Sequence, residues 1–195
     1  TVYETADWFA VSNIEEALEL REAGVDKPIL TLGYTAPLQL ADAIRNRITL
    51  TLCDTESAEE ISETASRIGL TAEVHIKVDT GMGRIGFPAD VSFAAQVAEA
   101  VKLPNIKATG IYTHFARADE TDKAATKLQF QKFLVFINEL ETHGVTGLLR
   151  HAENSAAILS LSEYQLDMVR LGISLYGMYP SDEVTPAEFS LQPAM

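Results

Sequence analysis

The chain has 195 residues, 47% hydrophobic and 22% charged, enough for one globular domain with a sizeable core and unlike the composition of a disordered segment. Its formal net charge of −13 argues against a nucleic-acid partner, because phosphate binding draws on clustered Lys and Arg, and a solvated acidic surface accounts for the charge. No apolar stretch approaches the roughly 20 residues that span a bilayer, no charged-then-apolar leader opens the chain, and Cys53 is the single cysteine, so the expected compartment is a reducing cytoplasm.

Strands and helices are predicted to alternate throughout. Trp8 to Val11 forms a short apolar run, and Ser12 with Glu15 has the spacing of a capping box for a helix that ends at Gly24. Pro28 to Gly33 is the next strand, Pro37 opens a helix, and Ile48 to Cys53 is a third apolar run, with Cys53 expected in the core. Ala58, Ile61, Ala65 and Ile68 recur at helical spacing before Gly69. Val74 to Asp79 reads as a strand, Val91 to Val101 as a helix and Ile106 to Phe115 as a strand. A long helix carries Phe130, Phe133, Leu134, Ile137 and Leu140 on one face and stops before Gly144. Leu148 to Asn154 and Leu166 to Tyr176 complete a set of seven strands, the pattern of parallel βαβ units and of an α/β fold. That pattern alone leaves a closed barrel and an open doubly wound sheet both possible.

Buried parallel strands are normally apolar on both faces, yet His75-Ile76-Lys77-Val78-Asp79 alternates polar with apolar residues. Period-two geometry sets His75, Lys77 and Asp79 on one face, where in a barrel they would point inward, as a structural ion pair or as part of a functional site. The strand runs into Thr80-Gly81-Met82-Gly83-Arg84-Ile85-Gly86, which matches a dinucleotide fingerprint. That reading fails on context: the motif follows the fourth strand, Pro88 delays the helix, and the next strand ends in His114-Phe115 without a ribose-binding acid.

The Asp79 to Gly86 block after His75-Ile76-Lys77 is followed by Thr113-His114-Phe115-Ala116, by Asn154-Ser155-Ala156-Ala157, and by Asp167-Met168-Val169-Arg170 with Gly172-Ile173 and Leu175-Tyr176-Gly177. In these four blocks, taken in order over nearly its whole length, the chain resembles alanine racemase. The resemblance implies a (β/α)8 TIM-type barrel with strands 2 to 8 present and the first missing, a site at the carboxyl ends of the strands, and pyridoxal 5'-phosphate as cofactor. It implies that Arg84 contacts the cofactor's phenolic oxygen and the substrate carboxylate, and that Arg170 faces the pyridine nitrogen while His114 orients it. Asn154, Ser155, Gly172 and Ile173 are implied to cradle the phosphate, with an ordinary helix cap as the alternative for Ser155. Lys77 matches a lysine that is often carbamylated, and an unmodified Lys77 paired with Asp79 is the alternative.

The family's Schiff-base lysine lies in a Lys-x-x-x-Tyr-Gly context on the first barrel strand, and its tyrosine base lies in a carboxyl-terminal β domain; neither segment occurs in the sequence. Residues 1–195 are therefore expected to be the cofactor-binding barrel domain of a longer protein, truncated at both ends and inactive alone, the parent being a homodimer. Glu153 stands where the family usually has a small residue. The activity implied is conversion of L-alanine to D-alanine for peptidoglycan. Rival readings are a serine racemase of the same family, a non-catalytic barrel binding pyridoxal phosphate for cofactor homeostasis, and a metallohydrolase using His75, His114 and His151.

Overall fold

The computed structural model describes residues 2–184 and 190–194; Thr1 and Met195, the limits of the expected domain, lie outside the described residues. Helix α1 (Val2–Thr5) leads to strand β1 (Phe9–Val11), then α2 (Ile14–Glu22), β2 (Ile29–Thr31), α3 (Pro37–Arg45), β3 (Ile48–Leu52) and α4 (Thr55–Ile68). Strand β4 (Ala72–Asp79) is followed by the two-residue β5 (Phe87–Pro88), α5 (Ala94–Ala100), β6 (Ile106–Tyr112), α6 (Ala124–Thr142), β7 (Leu149–His151) and α7 (Ser155–Ser160). All pairings are parallel, in the order β1-β2-β3-β4-β6-β7, with β5 on the end of β4.

Local chemistry sets the boundaries. Asn13, and not Ser12, caps α2: its Oδ1 accepts from the Glu16 amide at 2.9 Å while Glu16 accepts from the Ser12 amide at 2.8 Å, so the reciprocal pair stands one residue later than expected. Asp54 and Ser57 form a full capping box on α4, which ends at Gly69 in the left-handed conformation with φ 68°. On the outer face of the sheet Leu50, Leu52, Val74, Ile76, Val78 and Ile111 bury completely against Leu40, Ile61, Val97, Phe133, Phe136 and Leu140 of the helices.

The sheet is curled and not flat. Strands β2 and β6 are three spacings apart in strand order, about 14 Å if the sheet were flat. Yet the Tyr112 hydroxyl on β6 lies 2.7 Å from Thr51 Oγ1 and 3.2 Å from the Leu32 carbonyl just past β2. Trp8, before β1, likewise reaches the ring of His75 on β4, with centroids 5.0 Å apart. The fold is an incomplete α/β barrel.

The segment Leu166 to Tyr176 departs from expectation. It contributes a single bridge, His151 to Met168, and then a 3-10 turn over Ile173–Tyr176. The amides of Asp167 and Met168 both converge on the Arg150 carbonyl, and Ser155 Oγ takes the amides of Gly172 and Ser174 at 2.9 and 3.3 Å. The Gly172 and Ser174 amides are thus spent on a side chain and cannot enter a ladder. The seventh strand is instead β5, which the sequence did not announce.

Candidate active site

The register places one polar row on the inner face. Thr51 is paired with His75, His75 with Gly110, Lys77 with Tyr112, and Tyr112 with His151. Paired residues of neighbouring strands point to the same side. A β-bulge between Val74 and His75 sets this register.

Arg170 is the hub of the row. It is 9% exposed, its Nη1 donates to His151 Nδ1 at 2.7 Å, and its Nη2 donates to the carbonyls of Thr113 and Ala152 at 2.7 and 3.0 Å. Its guanidinium lies 5.2 Å from the Tyr112 ring centroid, and that ring stacks on His151 at 4.8 Å. Burial pulls Arg170 down to about 10, which leaves it charged at neutral pH. Expectation and structure differ on its orienting partner. No hydrogen bond joins His114 to Arg170; the contact belongs to His151, whose Nε2 is 2.9 Å from His75 Nδ1. With a cation already on His151, and His151 on His75, these rings are poorly disposed to bind a metal ion.

Lys77 is fully buried. Its Nζ donates to the Val78 carbonyl at 3.0 Å and sits 5.6 Å from the Tyr112 ring centroid. The expected alternative partner, Asp79, is engaged elsewhere: its carboxylate accepts the amides of Gly81, Met82 and Gly83 at 2.8 to 3.1 Å. The glycine loop therefore cradles an internal anion, which is the physical content of its fingerprint-like spacing. Gly86, at φ 119°, lets the loop close over Lys77, since a Cβ there would lie 2.8 Å from the Lys77 carbonyl oxygen. Burial lowers Lys77 to about 8, with Arg170 and Arg84 pressing the same way against Asp79.

Arg84 is exposed on this loop and makes no hydrogen bond or salt bridge among the described residues. It is nonetheless near the others. Burial takes the His114 imidazole down to about 4, and Arg170, Arg84 and Lys77 all add to that shift. Three cations thus gather around His114: Lys77 on β4, Arg84 on the loop after it and Arg170 in the segment after β7, and none has a carboxylate within 4.0 Å among the described residues. Gln129 of α6 ties the two loops together, its Oε1 accepting from the Ala116 amide at 2.9 Å and its Nε2 donating to Thr80 Oγ1 at 3.0 Å.

Asn154, and not Ser155, caps α7. Its Oδ1 accepts from the Ala157 amide at 3.1 Å and its Nδ2 donates to the Phe115 carbonyl at 3.4 Å, so both ends of the amide are committed. Ser155 is left to face the 172–174 turn. Its Oγ accepts from Gly172 and Ser174, which keeps its own hydrogen free to donate, and the Ile173 amide has no partner among the described residues. A hydroxyl hydrogen and a free amide beside Arg170 form a donor set suited to a phosphate. Glu153 is buried with Oε1 unpartnered, and burial, reinforced by Glu163, raises its carboxyl. Two cavities among the described residues, of about 470 and 510 Å³, lie beside α6 below β7 and along the glycine loop, and neither takes in Arg170, His114 or Ser155.

The sequence reading missed Tyr112, Thr51 and the pairing of His75 with His151. The signal was available: each occupies the same inner-face parity as Lys77. Burial also lowers His75 to about 4. A folded value depressed below the ordinary 6.5 makes stability full above pH 6.5 and loses it as pH falls through 4, by roughly 3 kcal/mol for His75, with His114 adding to the loss. The urea midpoint should therefore begin to drop near pH 6.5, before carboxylates titrate; a midpoint flat from pH 7 to 5.5 would contradict these two burials.

Comparison with known proteins follows the same lines. The family model described as alanine racemase, N-terminal domain, matches residues 1–180. An alanine racemase of Desulforamulus reducens is 50% identical over 95% of this chain and 50% of its own length, and one of Methanococcus maripaludis is 46% identical over 97% and 51%. The solved alanine racemase of Clostridium difficile 630 superposes with a TM-score of 0.94 at 40% identity, over 99% of this chain and 50% of that one. The chain spans about half the length of the curated relatives it matches.

Proposed function

The chain belongs to the alanine racemase N-terminal domain family, and on that premise we propose that it is the barrel domain of a pyridoxal-phosphate-dependent enzyme that interconverts L- and D-alanine. The observation that carries this reading is the cluster of Lys77, Arg84 and Arg170, with no carboxylate within 4.0 Å among the described residues, beside the Ser155 hydroxyl and the Ile173 amide, which has no partner among those residues. In a chain of net charge −13 such a mouth fits an anionic ligand with a phosphate at one end.

The Ser155 hydroxyl and the Ile173 amide would hold the phosphate, with Gly172, whose own amide is bonded to Ser155 Oγ, setting the turn beside it; Arg170 would face the pyridine nitrogen, and Arg84 the phenolic oxygen and the substrate carboxylate. The cofactor supplies an electron sink that acidifies the α-proton. Arg170, which has only donors to offer, would keep the ring nitrogen of the bound cofactor unprotonated and so would favour return of the proton to the α-carbon. Arg84, with two parallel donors, fixes the substrate carboxylate in one orientation. The lysine and tyrosine that move the proton are supplied by the rest of the full-length protein, which acts as a cytoplasmic homodimer and feeds D-alanine to peptidoglycan.

The full-length protein, incubated with pyridoxal phosphate and L-alanine in D2O, should produce D-alanine deuterated at the α-carbon. Racemisation of serine in preference to alanine would replace the substrate, and cofactor binding with no racemisation of either would favour the homeostasis barrel. Lys77 carries a separate expectation. Its lowered value of about 8 leaves part of the amine neutral near pH 8, able to attack CO2, forming an N–C bond and releasing a proton. With ¹³C-bicarbonate a carbamate carbonyl resonance should appear in the wild type and be absent from Lys77→Met; its absence from both would leave Lys77 as a plain buried amine.

A further inference from the structure

We propose that His75 is a positioning residue for Arg170, acting through His151, and that it does so by fixing the tautomer of the His151 ring. The inference rests on the reading of Arg170 above only for its consequence in the reaction; the hydrogen-bond argument stands without it.

A guanidinium has donors and no acceptor, so the 2.7 Å contact from Arg170 Nη1 requires His151 Nδ1 to be unprotonated. A neutral imidazole carries one proton, which must then be on His151 Nε2. That atom lies 2.9 Å from His75 Nδ1, so His75 Nδ1 is the acceptor and the proton of His75 sits on Nε2. His75 Nε2, which then carries the N–H, is buried and has no hydrogen-bond partner among the described residues, a cost that the two bonds along the chain must offset. Protonating either ring would set one N–H against another. Burial disfavours the charged form of both, and Arg170 does so as well.

The surroundings hold His75 in this role. Gly110 faces it across the β4–β6 ladder, and a Cβ there would stand 2.6 Å from His75 Cε1 and Nε2, so only glycine leaves room for the ring. Trp8 covers the ring at 5.0 Å, and His151 meets it edge-on at 5.1 Å. Without an acceptor from His75, the buried Nε2–H of His151 has no partner, and Arg170, which requires only an unprotonated nitrogen, can take either one if the ring turns.

The test uses the full-length protein with ¹⁵N-labelled histidine rings and long-range ¹H–¹⁵N correlation spectra near pH 7.5. In the wild type, His151 and His75 should both show the Nε2–H pattern; a His75 proton on Nδ1 overturns the proposal with no variant needed. His75→Leu should convert His151 to averaged nitrogen shifts, and His75→Asn, which offers Oδ1 where Nδ1 stood, should restore the single tautomer. In the racemisation assay His75→Leu should lower kcat by about tenfold, with KM within about twofold, and His75→Asn should recover most of it. A folded His75→Leu protein in which His151 keeps its wild-type pattern overturns the proposal. Failure of the wild type to racemise any amino acid would overturn the functional reading and leave the tautomer result standing.

Discussion

Replacing Arg170 by alanine in the full-length protein should lower kcat/KM for alanine racemisation by about a hundred- to a thousandfold, the usual cost of deleting a preorganised charged donor at a reacting centre. The same change should destabilise the fold by roughly 3–5 kcal/mol, because it strands buried groups. Three acceptors lose their donor at once: the carbonyls of Thr113 and Ala152 and the Nδ1 of His151. The face of the Tyr112 ring is uncovered as well. Arg170→Lys keeps a charge but cannot span three acceptors from one ammonium, so it should recover part of the stability and little of the rate. Kinetics near wild type in a folded Arg170→Ala protein would remove Arg170 from the site.

Gly110→Ala should have the second largest effect. Its backbone is not left-handed, so the cost is one of space and not of strain. The new Cβ would sit 2.6 to 2.7 Å from three atoms of the His75 ring, which is fully buried and boxed in by Trp8 and His151. Overpacking of that kind costs roughly 1–3 kcal/mol, and moving the ring also breaks its bond to His151. We expect a loss near the upper end, about 3 kcal/mol, measured as a fall in the denaturant midpoint. Alanine at Gly69 or Gly144 meets no atom within 4 Å and tests left-handed backbone alone. A Gly110→Ala midpoint equal to the wild type would mean that the inner face is looser than its contacts imply.

Much of this was legible in the sequence because it rests on local patterns. The alternation in His75-Ile76-Lys77-Val78-Asp79 marks an inner face directly, and α4 is bracketed by its own cap and its own glycine. Extending the same parity to Thr49, Thr51, Tyr112 and His151 would have found the rest of the row. What the pattern could not supply is where a side chain spends its hydrogen bonds. Asp79 shares the parity of Lys77, yet three loop amides claim its carboxylate. Leu166 to Tyr176 has strand composition, yet the Ser155 hydroxyl takes two of its amides. His114 and His151 are both histidines at strand ends, and only the register, set by a bulge, decides which one meets Arg170.

The central claim is that these strand ends form one anionic cofactor site. It is tested most directly by a crystal structure of the full-length protein grown with pyridoxal phosphate. The phosphate should lie on the Ser155 hydroxyl and the Ile173 amide, the pyridine nitrogen should face Arg170, and Arg84 should stand on the phenolic side. A cofactor bound elsewhere, or one whose ring nitrogen faces away from Arg170, would contradict it.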